Sequence, residues 1–82
     1  MAAEDVAMPK LPVLRAGEVI RVLEKDGWVQ TKSKGGHRQL CHRHKPGRIT
    51  IPVHGGKDIE PWLLRHIIRQ AGLAVNEFLR LL

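Results

Sequence analysis

The spacing of the apolar residues changes twice along this 82-residue chain, and this change constrains the fold more than any other feature. Between residues 16 and 26 apolar side chains recur every three or four residues, which is typical of an amphipathic helix. Residues 28 to 53 instead form three short runs separated by turn-forming residues, and the third run alternates apolar and polar side chains. Helical spacing returns after residue 60. The pattern therefore predicts the element order α-β-β-β-α-α.

The predicted elements are a helix over Ala16–Asp26, strands over Trp28–Ser33, His37–His42 and Arg48–Val53, and helices over Pro61–Ala71 and Val75–Leu82. The turns between the strands are short enough for hairpins, so consecutive strands should pair antiparallel. The apolar stripes of the helices need a surface to cover, and one face of the sheet provides it. We therefore predict an α+β, two-layer sandwich with a short extra C-terminal helix.

The rest of the composition limits the class of protein. We expect residues 1–9 to be a flexible leader and residues 10–82 to be a single domain. Cys41 is the only cysteine and cannot form an internal disulfide, which favours a reducing compartment. No apolar run approaches the length of a transmembrane helix, and the start does not resemble a signal peptide. These features predict a soluble, cytoplasmic protein with no membrane partner.

Positive charge is concentrated in the middle of the chain. The segment from Gly27 to Lys57 contains seven basic residues and no acidic residue, whereas the flanking segments are close to neutral. Four of the five histidines lie in the same segment. Such segregation is typical of a protein that binds a phosphate-rich partner such as a nucleic acid. A solvated basic face without a partner is the alternative interpretation.

His37 is the candidate catalytic residue of this segment. Strand alternation places His37, Gln39 and Cys41 on one face of the second strand and apolar Leu40 on the other, so His37 should point away from the helices. Histidine can accept a proton near neutral pH. Close to Lys32, Lys34 and Arg48, it could act on a bound phosphodiester, since RNA supplies its own nucleophile in the 2′-hydroxyl. A surface histidine without a role remains the alternative from the residues alone.

A metal site is the competing interpretation of the same histidines. Its candidate ligands are His37, Cys41, His42, His44 and His54. Alternation separates Cys41 from His42, and no Cys-x-x-Cys or His-Glu-x-x-His spacing is present. We therefore predict no metal, no cofactor and metal-independent chemistry.

Four motifs of the chain resemble those of the HicA toxin family. They are Leu23-Glu24-Lys25-Asp26-Gly27-Trp28, Lys34-Gly35-Gly36-His37, Lys45-Pro46-Gly47-Arg48 and Gln70-Ala71-Gly72-Leu73. The similarity extends over roughly residues 10–82. Two positions depart from the family pattern: the family often has serine where this chain has Gly36, and its second helix usually opens differently from Trp62-Leu63.

The resemblance implies a double-stranded-RNA-binding-domain-like fold and an endoribonuclease toxin that cleaves mRNA and inhibits translation. It assigns the catalytic role to His37 and implies a HicB-type antitoxin as the protein partner. We expect the RNA-binding residues to be Lys32, Lys34, Gly35, Gly36, Arg38 and Arg48. The alternative is a non-catalytic RNA-binding module of the same fold.

Overall fold

The computed structural model describes residues 10–82 of the chain. Its elements are α1 (Ala16–Lys25), β1 (Trp28–Lys34), β2 (His37–His42), β3 (Arg48–Pro52), α2 (Pro61–Gln70) and α3 (Val75–Leu81). The predicted α+β fold and its element order are confirmed, and each predicted boundary lies within one residue of the observed one. The predicted leader, residues 1–9, lies outside the described residues. Among the described residues, no helix combines the length and apolar character needed to cross a membrane.

Helix α1 begins without a serine, threonine, aspartate or asparagine at its N-cap. The carboxylate of Glu18 compensates by accepting a hydrogen bond of 2.9 Å from the Arg15 amide. Gly27 follows the C-cap residue Asp26, and its φ of +103° belongs to a region that favours glycine. Its buried residues are Ala16, Val19, Ile20, Val22 and Leu23. The apolar stripe read from the sequence is therefore the face that packs into the core.

The three strands form an antiparallel sheet in the order β1-β2-β3, so β2 is the central strand. Gly35, with a φ of +58°, lies in the tight turn between β1 and β2. Pro52 is the last residue of the edge strand β3, where its missing N–H costs no ladder hydrogen bond. The predicted antiparallel pairing of consecutive strands is confirmed.

A bulge in β1 changes which side chains share a face. Gln30 is paired with Leu40, but the next pair joins Lys32 to Gln39, so Thr31 is the extra residue. The Thr31 hydroxyl donates a 3.4 Å hydrogen bond to the carbonyl of Gln39. Simple alternation from buried Trp28 would send Lys32 and Lys34 towards the helices. The bulge reverses the alternation and brings both lysines to the opposite face.

Helices α2 and α3 complete the layer that covers the sheet. Pro61 occupies the first turn of α2, and Leu64, Ile67 and Ile68 are its buried residues. Phe78 is the buried residue of α3. Together with α1 they pack against one sheet face, to which the strands contribute Trp28, Leu40, Ile49 and Ile51. The core is mainly aliphatic, because Trp28 and Phe78 are its only aromatic members among the described residues.

Polar side chains connect the ends of α1, β2 and α2 at the edge of this core. The Lys45 ammonium contacts the Asp26 carboxylate at 2.6 Å and the Ala71 carbonyl at 2.8 Å. The Trp28 indole N–H donates to the same carboxylate at 3.2 Å, and the His42 ring lies 5.2 Å from the Trp28 ring. We call Asp26, Trp28, His42, Lys45 and the Ala71 carbonyl the polar clasp.

His42 is held in one tautomer by the polar clasp. Its Nδ1 accepts hydrogen bonds from the backbone amides of His44 (2.9 Å) and Lys45 (3.2 Å). The ring proton therefore lies on Nε2, which donates to the Asp26 carbonyl at 2.7 Å. The imidazole joins the β2–β3 turn to the end of α1.

Candidate functional site

The sheet face that the helices leave uncovered carries the candidate site. We call it the open face, and its side chains belong to Val29, Lys32, Lys34, His37, Gln39, Cys41, Arg48, Thr50 and Pro52. None of these residues is acidic, and three are basic. The face is solvent-accessible enough that even Val29 is 62% exposed. An acid-free, exposed face of this kind attracts a polyanion.

His37 lies at one end of the open face, at the first position of the central strand. Lys34 of β1 is its partner on one side and Pro52 of β3 its partner on the other. The imidazole is exposed, and within residues 10–82 it makes no side-chain hydrogen bond. Cross-strand partners have Cβ atoms about 5 Å apart, so the Lys34 ammonium can reach a phosphate that contacts His37.

The turn before His37 leaves space beside its backbone at Gly35. Gly35 carries no side chain and has open space at its Cβ position. A Cβ on Gly36 would lie 3.4 Å from the Val53 carbonyl and 3.7 Å from the His54 ring. The Val53 amide donates to the Gly36 carbonyl, which extends the β2–β3 pairing one residue beyond Pro52. The His54 imidazole therefore lies beside the residue that precedes His37.

The remaining predicted RNA-binding residues are not all close to His37. Lys32 shares the open face and is paired with Gln39, the next open-face residue of β2. Arg48 is also on this face but is paired with Cys41, about 13 Å along the strand from His37 at 3.3 Å per residue. Arg38 lies on the helix-facing side and donates a 3.3 Å hydrogen bond to Gln30. The structure therefore groups Lys32 and Lys34 with His37 and separates Arg38 from them.

The candidate metal ligands do not form a cluster. Among residues 10–82 there is no group of three or more histidine, cysteine or acidic side chains placed to hold a metal ion. His42 uses both ring nitrogens within the polar clasp, and Cys41 lies on the opposite face of β2. Metal independence of any reaction remains a prediction.

Comparison with known families decides the identity of the chain. The family model of the HicA toxin of bacterial toxin–antitoxin systems matches residues 16–73, which is more than half of the chain. The chain belongs to the HicA toxin family. A search of curated proteins finds no match.

Membership places the chain among the toxins of toxin–antitoxin systems, which in the HicA family are generally mRNA-cleaving interferases that pair with a HicB antitoxin. The match begins at the first residue of α1 and ends just after α2. It therefore contains the whole sheet, the turn before His37 and the polar clasp. Gly36 and the Trp62-Leu63 pair, where we expect departures from the family pattern, also lie within it. Gly36 faces His54, whereas Trp62 is 67% exposed and Leu63 packs partly against the core.

Sequence reasoning missed two features of this HicA toxin. The polar clasp depends on residues far apart in the chain, and only its Asp26-Gly27-Trp28 portion stands out as a motif. The second feature is the position of His54 beside Gly36, which follows from the extended β2–β3 pairing. Gly36 is the one sequence signal of this approach, since a Cβ there would lie 3.4 Å from the Val53 carbonyl.

Proposed function

We propose that this HicA toxin is a metal-independent endoribonuclease that cleaves mRNA with His37 as its catalytic residue. The observation that carries the proposal is the position of His37. Its exposed imidazole lies at the end of the central strand, directly opposite Lys34, on a sheet face without an acidic residue. A histidine with unhindered access to a polyanion-binding surface can act as a general base on RNA.

The reaction we propose is an internal transesterification of RNA. His37 removes the proton of a 2′-hydroxyl, and the 2′-oxygen then attacks the adjacent phosphorus. The bond from phosphorus to the 5′-oxygen breaks, and the leaving oxygen takes a proton. The products are a 2′,3′-cyclic phosphate and a 5′-hydroxyl. Lys34 and Lys32 stabilise the negative charge that develops on the phosphate oxygens.

RNA binding in this proposal uses the predicted residues in different ways. Lys32, Lys34 and Arg48 contact phosphates along the open face, which would make affinity fall with salt concentration. Gly35 and Gly36 let the RNA backbone approach the turn beside His37. Arg38 contributes positive potential from the helix-facing side, since its guanidinium is engaged with Gln30.

The partner we propose is a HicB-type antitoxin that covers the open face. Covering this face would exclude RNA from His37, which gives inhibition without a change in the fold of the toxin. Family membership supports the pairing. The large exposed fraction of Val29, an apolar side chain on the open face, supports an apolar contact at this position.

A non-catalytic RNA-binding module is the second candidate. The observation that favours it is that no side chain within residues 10–82 hydrogen-bonds the His37 imidazole to fix its tautomer or orientation. Catalytic histidines are commonly oriented by such a partner. The second candidate predicts the same salt-sensitive RNA affinity but no cleavage.

The test is RNA cleavage in EDTA by the wild type, His37→Ala and His66→Ala. His66 is the matched control, because it is an exposed histidine on the outer face of α2. We expect the wild type and His66→Ala to leave 2′,3′-cyclic phosphate ends. His37→Ala should be slower by at least about 100-fold, as the loss of a general base requires. Cleavage that needs added metal, or equal rates for all three proteins, would contradict the proposal.

A further inference from the structure

A shallow groove lies beside the turn that carries Gly36. It is on the helix side of the sheet, opposite the open face. One wall is the start of α1, from Arg15 to Arg21, and the other is the loop from Val53 to Lys57. Its volume is about 570 Å³, and it opens to solvent. The two walls come from segments more than thirty residues apart, one of them outside the basic segment of the sequence.

The charge of the groove suits a phosphate-rich ligand. Arg15, Arg21 and Lys57 line it, and all three are exposed. Within residues 10–82, the one ion pair of Arg15 is a long, exposed contact of 3.9 Å with Asp58. Glu18 is the one acidic residue among the lining residues, and one of its carboxylate oxygens accepts the Arg15 amide. The lining is therefore net positive.

The shape of the groove allows a ligand backbone to approach that of the protein. Gly17, Gly55 and Gly56 line it, and no heavy atom lies within 4 Å of the Cβ position of any of them. Glycines at such positions leave room for a phosphate group next to the main chain. An apolar protein partner would gain little here, since the lining offers few large apolar side chains.

His54 connects the groove to the turn before His37. It lines the groove, and its ring carbon Cε1 lies 3.7 Å from the Cβ position of Gly36. Gly36 and His37 are consecutive, so their Cα atoms are about 3.8 Å apart. The groove is therefore within reach of a polyanion that contacts His37 on the open face and passes the sheet end at Gly36.

We infer that this groove binds the phosphates of single-stranded RNA next to the segment held on the open face. The inference rests on the proposed function for its choice of RNA as the ligand. Arg21 and Lys57 contact the flanking phosphates from opposite walls, and His54 lies between them and the reactive segment. The groove is a binding subsite, and its residues do not take part in the chemical step.

The experiment measures binding of an oligonucleotide that cannot be cleaved. A fluorescein-labelled 2′-O-methyl RNA of about 15 nucleotides lacks the free 2′-hydroxyl, so wild-type protein can be used without degrading the probe. Affinity is measured by anisotropy between about 50 and 200 mM salt for the wild type, Arg21→Gln, Lys57→Gln and the double variant. Arg43→Gln is the control, because it removes one exposed charge from the β2–β3 turn at the other end of the sheet.

Each groove substitution should make the slope of log affinity against log salt shallower by about 0.7, the value for one phosphate contact of a single strand. The double variant should lose roughly twice as much. Arg43→Gln should run parallel to the wild type. With a probe of about three nucleotides, which occupies the open face alone, the groove variants should match the wild type.

Slopes for Arg21→Gln and Lys57→Gln that equal the slope for Arg43→Gln would overturn the inference. So would an equal loss on the long and the short probe. These outcomes are independent of the proposed function, because the probe reports binding and not cleavage. If His37 proves unnecessary for cleavage while the groove slopes hold, the groove remains a subsite of an RNA-binding module.

Discussion

Each end of the sheet has a histidine and a lysine, but these residues are exposed at one end and hydrogen-bonded to the protein at the other. At the end with the β1–β2 turn, His37 and Lys34 are exposed. At the other end, His42 and Lys45 are partly buried, and each makes hydrogen bonds to the protein at 2.6–3.2 Å. The two ends therefore differ in the hydrogen-bond partners of their histidine and lysine, and not in residue type. The end that satisfies its polar groups stabilises the fold, and the end that leaves them exposed is where we propose that RNA binds.

The two ion pairs found among residues 10–82 make the same distinction. Lys45 and Asp26 are 2.6 Å apart, with side chains only 28% and 19% exposed. Arg15 and Asp58 are 3.9 Å apart, with side chains 65% and 58% exposed. Exposed pairs contribute little to stability, whereas breaking a partly buried pair leaves an unsatisfied charge. The free energy of unfolding should therefore depend on the polar clasp. It should change little when charged residues at the end with the β1–β2 turn are replaced.

Of the substitutions that we predict to alter stability, Gly27→Ala should cause the largest loss. A Cβ at this position would lie 2.7 Å from His42 Nε2, and the φ of +103° is strained for any residue with a side chain. We expect the free energy of unfolding to fall by about 2–4 kcal/mol. Urea unfolding followed by circular dichroism measures this loss.

Gly17→Ala is the matched control for this comparison. Gly17 lies in α1, and no heavy atom is within 4 Å of its Cβ position. Alanine should therefore stabilise the protein by about 0.5–1 kcal/mol. Equal effects of the two glycine substitutions would show that the clasp end has no special packing around His42.

Lys45→Met should have the next largest effect. It removes the contacts with the Asp26 carboxylate and the Ala71 carbonyl but keeps most of the aliphatic side chain. A loss of about 1–3 kcal/mol is expected, or a Tm lower by roughly 4–8 °C for each kcal/mol. Arg15→Gln breaks the exposed pair and should change stability by less than about 0.5 kcal/mol. Two similar Tm values would remove the distinction between the ends.

The sequence predicts the elements of this HicA toxin because helical and strand periodicity are local signals. It also predicts the open face of β2, since Leu40 is the one apolar residue that fixes the alternation. The faces of Lys32 and Lys34 could not be derived by alternation from Trp28, because the bulge at Thr31 depends on pairing with β2. The polar clasp and the groove each join segments far apart in the chain. Such contacts could not be predicted from the local sequence pattern.

The most direct test of the account measures RNA cleavage and thermal unfolding on the same preparations of His37→Ala and His42→Ala. His37→Ala should lose cleavage by at least about 100-fold and keep the wild-type Tm to within a few degrees. His42→Ala should lower the Tm by roughly 5–15 °C, because it leaves clasp groups unpaired, and should still cleave RNA below its Tm. Cleavage at the wild-type rate by His37→Ala would contradict the assignment of catalysis to the His37 end of the sheet. Loss of cleavage by His42→Ala at an unchanged Tm would contradict the assignment of stability to the His42 end.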